Sequence, residues 1–282
     1  MQSRWHRPQS DSGVSSDAWI MGVLNCTPDS FSDGGNFFNI ESAIEHGLHM
    51  FEQGAAIIDV GGESTRPGSE TVPLEEELAR VIPVIQALTD QGCFVSADTM
   101  KAEVMHQGIK AGASMINDVS ALTFDPDSLA VIADSHVDVC LMHMQGLPKT
   151  MQQQPKYSDA VADVSLFFNQ RIDACLQAGI QASAITLDPG IGFGKRLQDN
   201  IALIQGLGHF KQHFNMPLLL GVSRKSFLGQ LTDSPIHDRE IETAVAGAIG
   251  IANGADILRV HDVPLQRRAM QVASALSLHP SF

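Results

Sequence analysis

Short apolar runs of strand character recur eight times along the chain, at residues 20–24, 56–60, 94–97, 115–116, 137–142, 184–187, 218–222 and 257–260. They are apolar without polar alternation, the pattern of strands buried on both faces in a parallel sheet covered by helices. Between them the apolar positions fall at helical intervals. Ile44, Leu48 and Phe51 make one such stripe, closed by Gly54, and Leu78, Val81, Ile82 and Ile85 make another. Glu75, Glu76 and Glu77 precede the second stripe as an acidic first turn that complements a helix N-terminus. Eight strand-then-helix units in 282 residues predict a single (β/α)8 TIM barrel. A doubly wound open sheet is the rival arrangement for the same alternation. Residues 1–17 are rich in Ser, Gln and Asp and are expected to be a disordered tail ahead of one barrel domain over 18–282.

Nearly every apolar run ends in a polar residue or a glycine-rich turn. Asn25 follows the first, Asp59 and the GGESTRPGS stretch the second, Asp98 the third and Asn117 the fourth. His143, Asp188, residues 223–225, and then Arg259 with His261 continue the series. A single Asp or Asn in such a place is ordinarily a turn residue. In a TIM barrel, however, all these ends meet at the C-terminal face, where active sites are built, so the series predicts a site there.

Charge narrows the possibilities. A formal net charge of −14 argues against nucleic acid or an anionic membrane as partner, since both need a dominant basic field. An anionic substrate must then be held by a few local cations. The four cysteines, Cys26, Cys93, Cys140 and Cys175, form no CxxC pair and suggest neither a disulfide framework nor a zinc site. No signal-peptide core or long apolar span is present, which points to a cytoplasmic protein. His46 with His49 and His209 with His213 have helix spacing that suits a metal, but solvated helix surface is the simpler expectation for both pairs. HExxH, Walker A and GxSxG motifs do not occur.

Eight stretches carry a resemblance: LNCTPDSFSDGG (24–35), IIDVGGESTRPGS (57–69), ADTMKAEV (97–104), INDVSAL (116–122), LMHMQGLPKTM (141–151), LDPGIGFGK (187–195), GVSRKSFLG (221–229) and RVHDV (259–263). In order and content they resemble the signature segments of the dihydropteroate synthases. A DPGxGFGK segment is shared with other pterin-binding barrels, whereas the STRPG and TPDSFSDGG loops together are specific to the synthases. The departures are Cys26 where Val is frequent, Arg196 in place of a small residue after GFGK, and Phe227 where Met is common. A corrinoid-type pterin methyltransferase is the nearest alternative enzyme and has no use for those two loops; a non-catalytic pterin-binding paralogue is the alternative of another class.

The resemblance implies condensation of 6-hydroxymethyl-7,8-dihydropterin pyrophosphate with p-aminobenzoate, a step of folate biosynthesis and a sulfonamide target, in a homodimer using Mg²⁺. It places Asp188, Asn117, Asp98 and Lys225 at the polar edges of the pterin. A pterin presents N3–H and a 2-amino group as donors and O4 and N5 as acceptors, and these residue types match that edge. Arg259 is expected to stack on the ring, with Met142 and Phe193 as apolar walls. Asn25 is expected to supply an oxygen to Mg²⁺, which readily shares itself with substrate phosphates. Arg66, Arg259 and His261 would face the pyrophosphate. Phe31, Ser64, Thr65, Arg66, Pro67, Phe193, Lys225 and Ser226 would border p-aminobenzoate, and the reaction would rest on Arg66, Lys225, Arg259 and His261. A last expectation concerns assembly: the small residues of AVAGAIGIANGA (244–255) offer close packing against a partner subunit.

Overall fold

The computed structural model describes residues 18–27, 39–65 and 68–277. The expected tail, Phe31, Arg66 and Pro67 lie outside those residues. The first half of the chain runs β1 (Trp19–Asn25), α1 (Ile40–Glu52), β2 (Ile57–Gly61), α2 (Leu74–Asp90), β3 (Val95–Asp98), α3 (Ala102–Lys110), β4 (Met115–Asp118) and α4 (Ser128–Ser135). It continues with β5 (Asp138–Met142), α5 (Ala160–Gln177), β6 (Ile185–Asp188), α6 (Leu197–Gln205) and α7 (Leu207–Phe214). The last part is β7 (Leu219–Gly221), α8 (Ser226–Thr232), α9 (Glu240–Ala252), β8 (Ile257–Val260) and α10 (Val263–Ser277).

The strands are all parallel, in the order β6-β5-β4-β3-β2-β1-β8-β7. A parallel bridge between Leu187 and Leu218, with Leu187 N–H donating to Pro217 O at 2.9 Å, joins β6 to the segment that leads into β7. The sheet therefore closes on itself, which decides for the barrel over the open sheet.

Period-two alternation sorts the strand residues into two cores. Inward-facing Met21, Ile57, Met115, Cys140, Leu219 and Ile257 pack together as an apolar floor. Two residues further along their strands, Asp59, Asn117 and Arg259 stand above Ile57, Met115 and Ile257. The interior thus turns from apolar to polar within one pleat. Outward-facing Ile58, Ile116, Leu187 and Leu258 join the helices in the larger outer core.

Two expectations about helix faces need correction. α1 buries Ala43, Gly47 and Met50, while Phe51 is turned outward and 41% exposed. The reason is Gly47: a Cβ there would lie 2.9 Å from a methyl of Leu88 on α2, so this close crossing sets the buried face. In α2 the acidic first turn forms as expected, and one of its carboxylates, Glu77, is buried at 1% exposure. In α9 the small residues serve this chain itself. A Cβ on Gly247 would lie 2.4 Å from the Gln266 amide of α10, and one on Gly250 would lie 2.2 Å from a Leu220 methyl on the barrel wall. The exposed face of α9 carries Ile241, Val245 and Ile249 instead.

Candidate active site

One hydrogen-bonded row crosses the C-terminal rim of the sheet through Asn25, Gly61, Asp98 and Asn117, in register on β1 to β4. Gly61 makes room for its neighbour, since a Cβ there would come within 3.3 Å of the Asp98 Cβ. The strand order also sets β2, β1 and β8 side by side, so Asn25 stands between the ends that carry the GGEST stretch and Arg259.

At the centre is a charge network whose hub, Asp59, was given no role in the sequence reading. Asp59, fully buried, accepts from Arg259 Nε at 2.6 Å and from Asn117 Nδ2 at 3.0 Å, both on Oδ2. Its Oδ1 is buried without a hydrogen-bond partner. Arg259 Nη2 also donates to Asp98 Oδ2 at 2.6 Å. Burial pushes the Asp98 carboxyl above the usual carboxylate range, against the pull of Arg259. Asn117, Asp98 and Arg259 are thus brought together, with the guanidinium hydrogen-bonded to two carboxylates. Asp59 was visible as a strand-end carboxylate, but nothing in the pattern marked it as the group that orients the other three.

Across the barrel mouth, Asp188 and Lys225 form the second polar pair. Asp188 Oδ1 accepts from Gly190 N–H at 2.7 Å, which fixes the carboxylate and leaves its other oxygen for a ligand. Burial raises Asp188, while Lys225 and the Gly190 hydrogen bond oppose the rise. Lys225 donates to the carbonyl of Ile191, and its ammonium lies 4.5 Å from the Phe193 ring centroid, a cation–π contact. Burial brings the Lys225 ammonium down to about 8, with Asp188 resisting. The turn that aims this lysine inward passes through Arg224, whose φ of 57° is left-handed. Arg224 is held there by Thr243 Oγ1, which accepts from its N–H at 3.1 Å, and by Glu240, which accepts from its Nε at 2.8 Å.

The loop after β6 is built from glycines because two backbones meet there. A Cβ on Gly190, whose φ is 69°, would sit 1.9 Å from the carbonyl oxygen of His143. Lys195 stitches the same loops together. Its Nζ lies 3.0 Å from His143 Nδ1 and donates to the carbonyls of His143 at 3.1 Å and Phe193 at 3.0 Å. Burial holds Lys195 down near 7, and burial with the neighbouring Lys195 charge holds His143 down near 3. This buried pair was not assigned a role from the sequence; the clue available was a lysine inside a glycine-rich turn.

Met142 and Phe193 share a small apolar cluster with Met100, Val119 and Met144, so the two expected walls stand together. His261 Nδ1 is 2.9 Å from Ser223 Oγ, which also accepts from the His261 N–H at 3.3 Å. Ser226 is exposed at the start of α8, and Ser64 and Thr65 are half-buried after β2. The two histidine pairs lie on exposed helix surface, and His209 stacks on His213 at 5.8 Å. Among the described residues no three His, Cys, Asp or Glu side chains gather to hold a metal. Of the departures, Arg196 forms a 2.8 Å ion pair with Asp199, and Cys26 and Phe227 are buried, so none intrudes on the polar mouth.

A closed parallel barrel, an apolar floor and a polar C-terminal mouth make up the architecture of the pterin-binding barrel enzymes. The family described as "Pterin binding enzyme" matches residues 21–261. A dihydropteroate synthase of Escherichia coli is 48% identical over 257 residues, covering 91% of this chain and 90% of that protein. The crystal structure of the Yersinia pestis dihydropteroate synthase with a sulfonamide drug complex superposes with a TM-score of 0.87 at 45% identity, covering 92% of this chain and 94% of that one. The Xanthomonas albilineans dihydropteroate synthase with 4-aminobenzoic acid also reaches 0.87, at 44% identity over 95% of this chain and 97% of that one. The chain belongs to the dihydropteroate synthases, transferases of folate biosynthesis.

Proposed function

We propose that the polar mouth of this barrel condenses 6-hydroxymethyl-7,8-dihydropterin pyrophosphate with p-aminobenzoate, giving 7,8-dihydropteroate and pyrophosphate. The observation that carries this reading is the facing arrangement of Asp188 with Lys225 and Asn117 with Asp59, Asp98 and Arg259 above an apolar floor. A flat heterocycle with alternating donors and acceptors needs such a rim, because each buried polar group left unpaired costs about 1–3 kcal/mol. Asp188 accepts from the N3–H and 2-amino group, Asn117 matches the mixed edge, Asp98 takes a remaining donor, and Lys225 donates to O4 and N5. Met142 and Phe193 wall the ring, and Arg259 lies over it.

Cleavage of the C–O bond sends its electron pair to the departing pyrophosphate and leaves a methylene cation delocalised into the dihydropterin. The lone pair of the arylamine then forms the C–N bond, and the N–H proton passes to water or to the released anion. No protein nucleophile is required, and the chain's contribution is positioning and charge. Arg259 and His261 are assigned to the leaving group, and Ser64, Thr65, Lys225 and Ser226 to the arylamine; Arg66 for both, and Pro67 and Phe31 for the arylamine, lie outside the described residues and are assigned by the family resemblance alone. The half-buried side chain of Asn25, beside the ends of β2 and β8, fits a cation that takes its other ligands from pyrophosphate and water, as Mg²⁺ does. Mg²⁺ bound there supplies charge neutralisation to the leaving group.

Two further parts of the reading concern the molecule as a whole. We place it in the cytoplasm, where four buried, unpaired cysteines are at ease. Among the described residues no helix is long and apolar enough to cross a membrane. We also propose a homodimer built on α9 and α10, whose exposed large apolar residues are Ile241, Val245 and Ile249 on the first and Val272 and Leu276 on the second. Ile241, 76% exposed, is out of place on a solvated helix. Sedimentation velocity at micromolar concentration should show a dimer for the parent and a monomer for Ile241→Glu with Val245→Glu; a monomeric parent rejects it.

The reaction itself is tested by mixing both substrates with Mg²⁺ and measuring pyrophosphate release with and without p-aminobenzoate. Release dependent on the arylamine, with 7,8-dihydropteroate as product, is the expected result. Pterin binding without any product would make the chain a binding paralogue instead.

A further inference from the structure

The acidic start of α2 holds the group that the site description leaves unexplained. Glu77 is buried at the foot of the GGEST stretch, and its Oε1 accepts from Thr99 Oγ1 at 2.7 Å. Its Oε2 is bonded by the ammonium of Lys101, which sits just after β3. Lys101 has two more protons to donate. One goes to Glu63 Oε2 at 2.5 Å and the other to the carbonyl of Val72 at 2.8 Å. Glu63 Oε2 in turn accepts from the Val72 N–H at 3.1 Å.

The consequence is geometric. Glu63 and Val72 are the two ends of the loop that carries Ser64 and Thr65, and a single ammonium ties both ends to each other and to the barrel. The same four-residue turn, Asp98 to Lys101, contributes Asp98 to Arg259 on its other side. A small cavity lies between loop and turn, lined by Glu63, Thr65, Glu77, Asp98, Thr99 and Lys101. A second brace ties the first residue after β2: Arg80 Nη1 donates to the Gly62 carbonyl at 2.8 Å.

Surface ion pairs contribute little, but this one is largely out of water. The Lys101 and Glu63 side chains are 15% and 11% exposed, and Glu77 is 1% exposed. Burial by itself would weaken the ammonium, but its hydrogen bonds to Glu63 and Glu77, together with their charges, outweigh it and hold Lys101 above its ordinary range.

We propose that Lys101 is a positioning residue for the arylamine subsite: it staples the base of the loop between Glu63 and Val72, and so sets where Thr65 meets p-aminobenzoate without touching substrate itself. This rests on the reading that the loop borders the arylamine. The pterin groups sit on strand ends that the barrel holds independently, so loss of the staple should act on one substrate alone.

The test compares steady-state kinetics of the full-length parent with three groups of variants. Lys101→Met removes the staple and strands Glu77, so it is paired with Glu63→Ala, which frees the loop but keeps the Lys101–Glu77 pair and tests the idea should Lys101→Met not fold. Glu63→Ala is expected to raise KM for p-aminobenzoate at least tenfold, with KM for the pterin pyrophosphate and the pterin Kd moving less than threefold. Glu63→Gln, which can still accept from Lys101 and Val72, should recover most of that loss. An unchanged arylamine KM in Glu63→Ala, or equal rises in both KM values, overturns the staple. Thr65→Ala is the control for the underlying reading. If it raises the arylamine KM while Glu63→Ala does not, only the staple has failed; if neither variant moves it, the loop does not border the arylamine and both ideas fall.

Discussion

Arg259 and Asp59, separated by 200 positions in the chain, are joined by a 2.6 Å bond from Nε to Oδ2 at the base of the barrel mouth. Asp59 is wholly buried and Arg259 partly exposed, so the carboxylate acts as a fixed point from which the guanidinium reaches toward the opening. Because Asn117 shares the same oxygen and Asp98 the other side of the guanidinium, one carboxylate sets the positions of three groups assigned to the site.

Replacing Asp59 by Ala should therefore destabilise the protein and disorder the site together. Breaking a buried pair costs about 3–5 kcal/mol, and partial exposure of Arg259 reduces this to about 2–3 kcal/mol. Urea denaturation of Asp59→Ala at neutral pH measures the loss. A midpoint equal to that of the parent would show that Arg259 finds an equivalent partner and that Asp59 orients nothing.

Asp188 should matter most for pterin affinity among the carboxylates. Asp188→Ala leaves two ligand donors without a partner, and binding should weaken by about 2–4 kcal/mol. Calorimetric titration with a pterin gives the number directly; parental affinity in the variant contradicts the assignment.

The pH dependence of turnover should report Lys225. In the free protein its pKa is lowered to about 8 by burial, with Asp188 opposing. Since the protonated ammonium is the donor to O4 and N5, kcat/KM for the pterin substrate should be level below about pH 8 and fall above it. Lys225→Arg keeps a cation that does not titrate in this range and should lose that alkaline fall. A parent profile that rises through pH 8 would instead make the neutral amine the working form.

Lys195 should leave a mark on stability rather than on turnover. Its folded pKa, near 7, lies below the 10.5 of a free lysine, so the unfolded chain takes up the proton first as pH falls. Between pH 10.5 and 7 stability is lost on acidification and regained on raising the pH, by up to about 1.4 kcal/mol per unit. Below about pH 7 both states are protonated and the slope vanishes. Guanidinium denaturation from pH 7 to 9.5 should show this rise in the parent and lack it in Lys195→Met. Parallel curves would place the Lys195 proton on the folded protein throughout.

The eight strands were legible in the chain because each is buried on both faces, so solvent exclusion writes itself as an unbroken apolar run. Their polar ends were equally legible, since a barrel must gather all C-terminal ends at one face whatever its finer packing. Asp188, Asn117, Lys225 and Arg259 were found that way. Closure of β6 on β7 was foreseen only from the count of eight units, because an open and a closed parallel sheet place the same demands on each strand's own residues. Which face α1 buries depended on how closely Gly47 lets it approach Leu88, a contact between two helices that no single stripe encodes. The same holds for Glu77 and Asp59. Read locally, one is a carboxylate favouring a helix N-terminus and the other a strand residue before a glycine turn. Their roles come from cations on distant strands and loops, Lys101 and Arg259, and only the folded chain brings those charges together out of water, where their attraction is strong enough to set geometry.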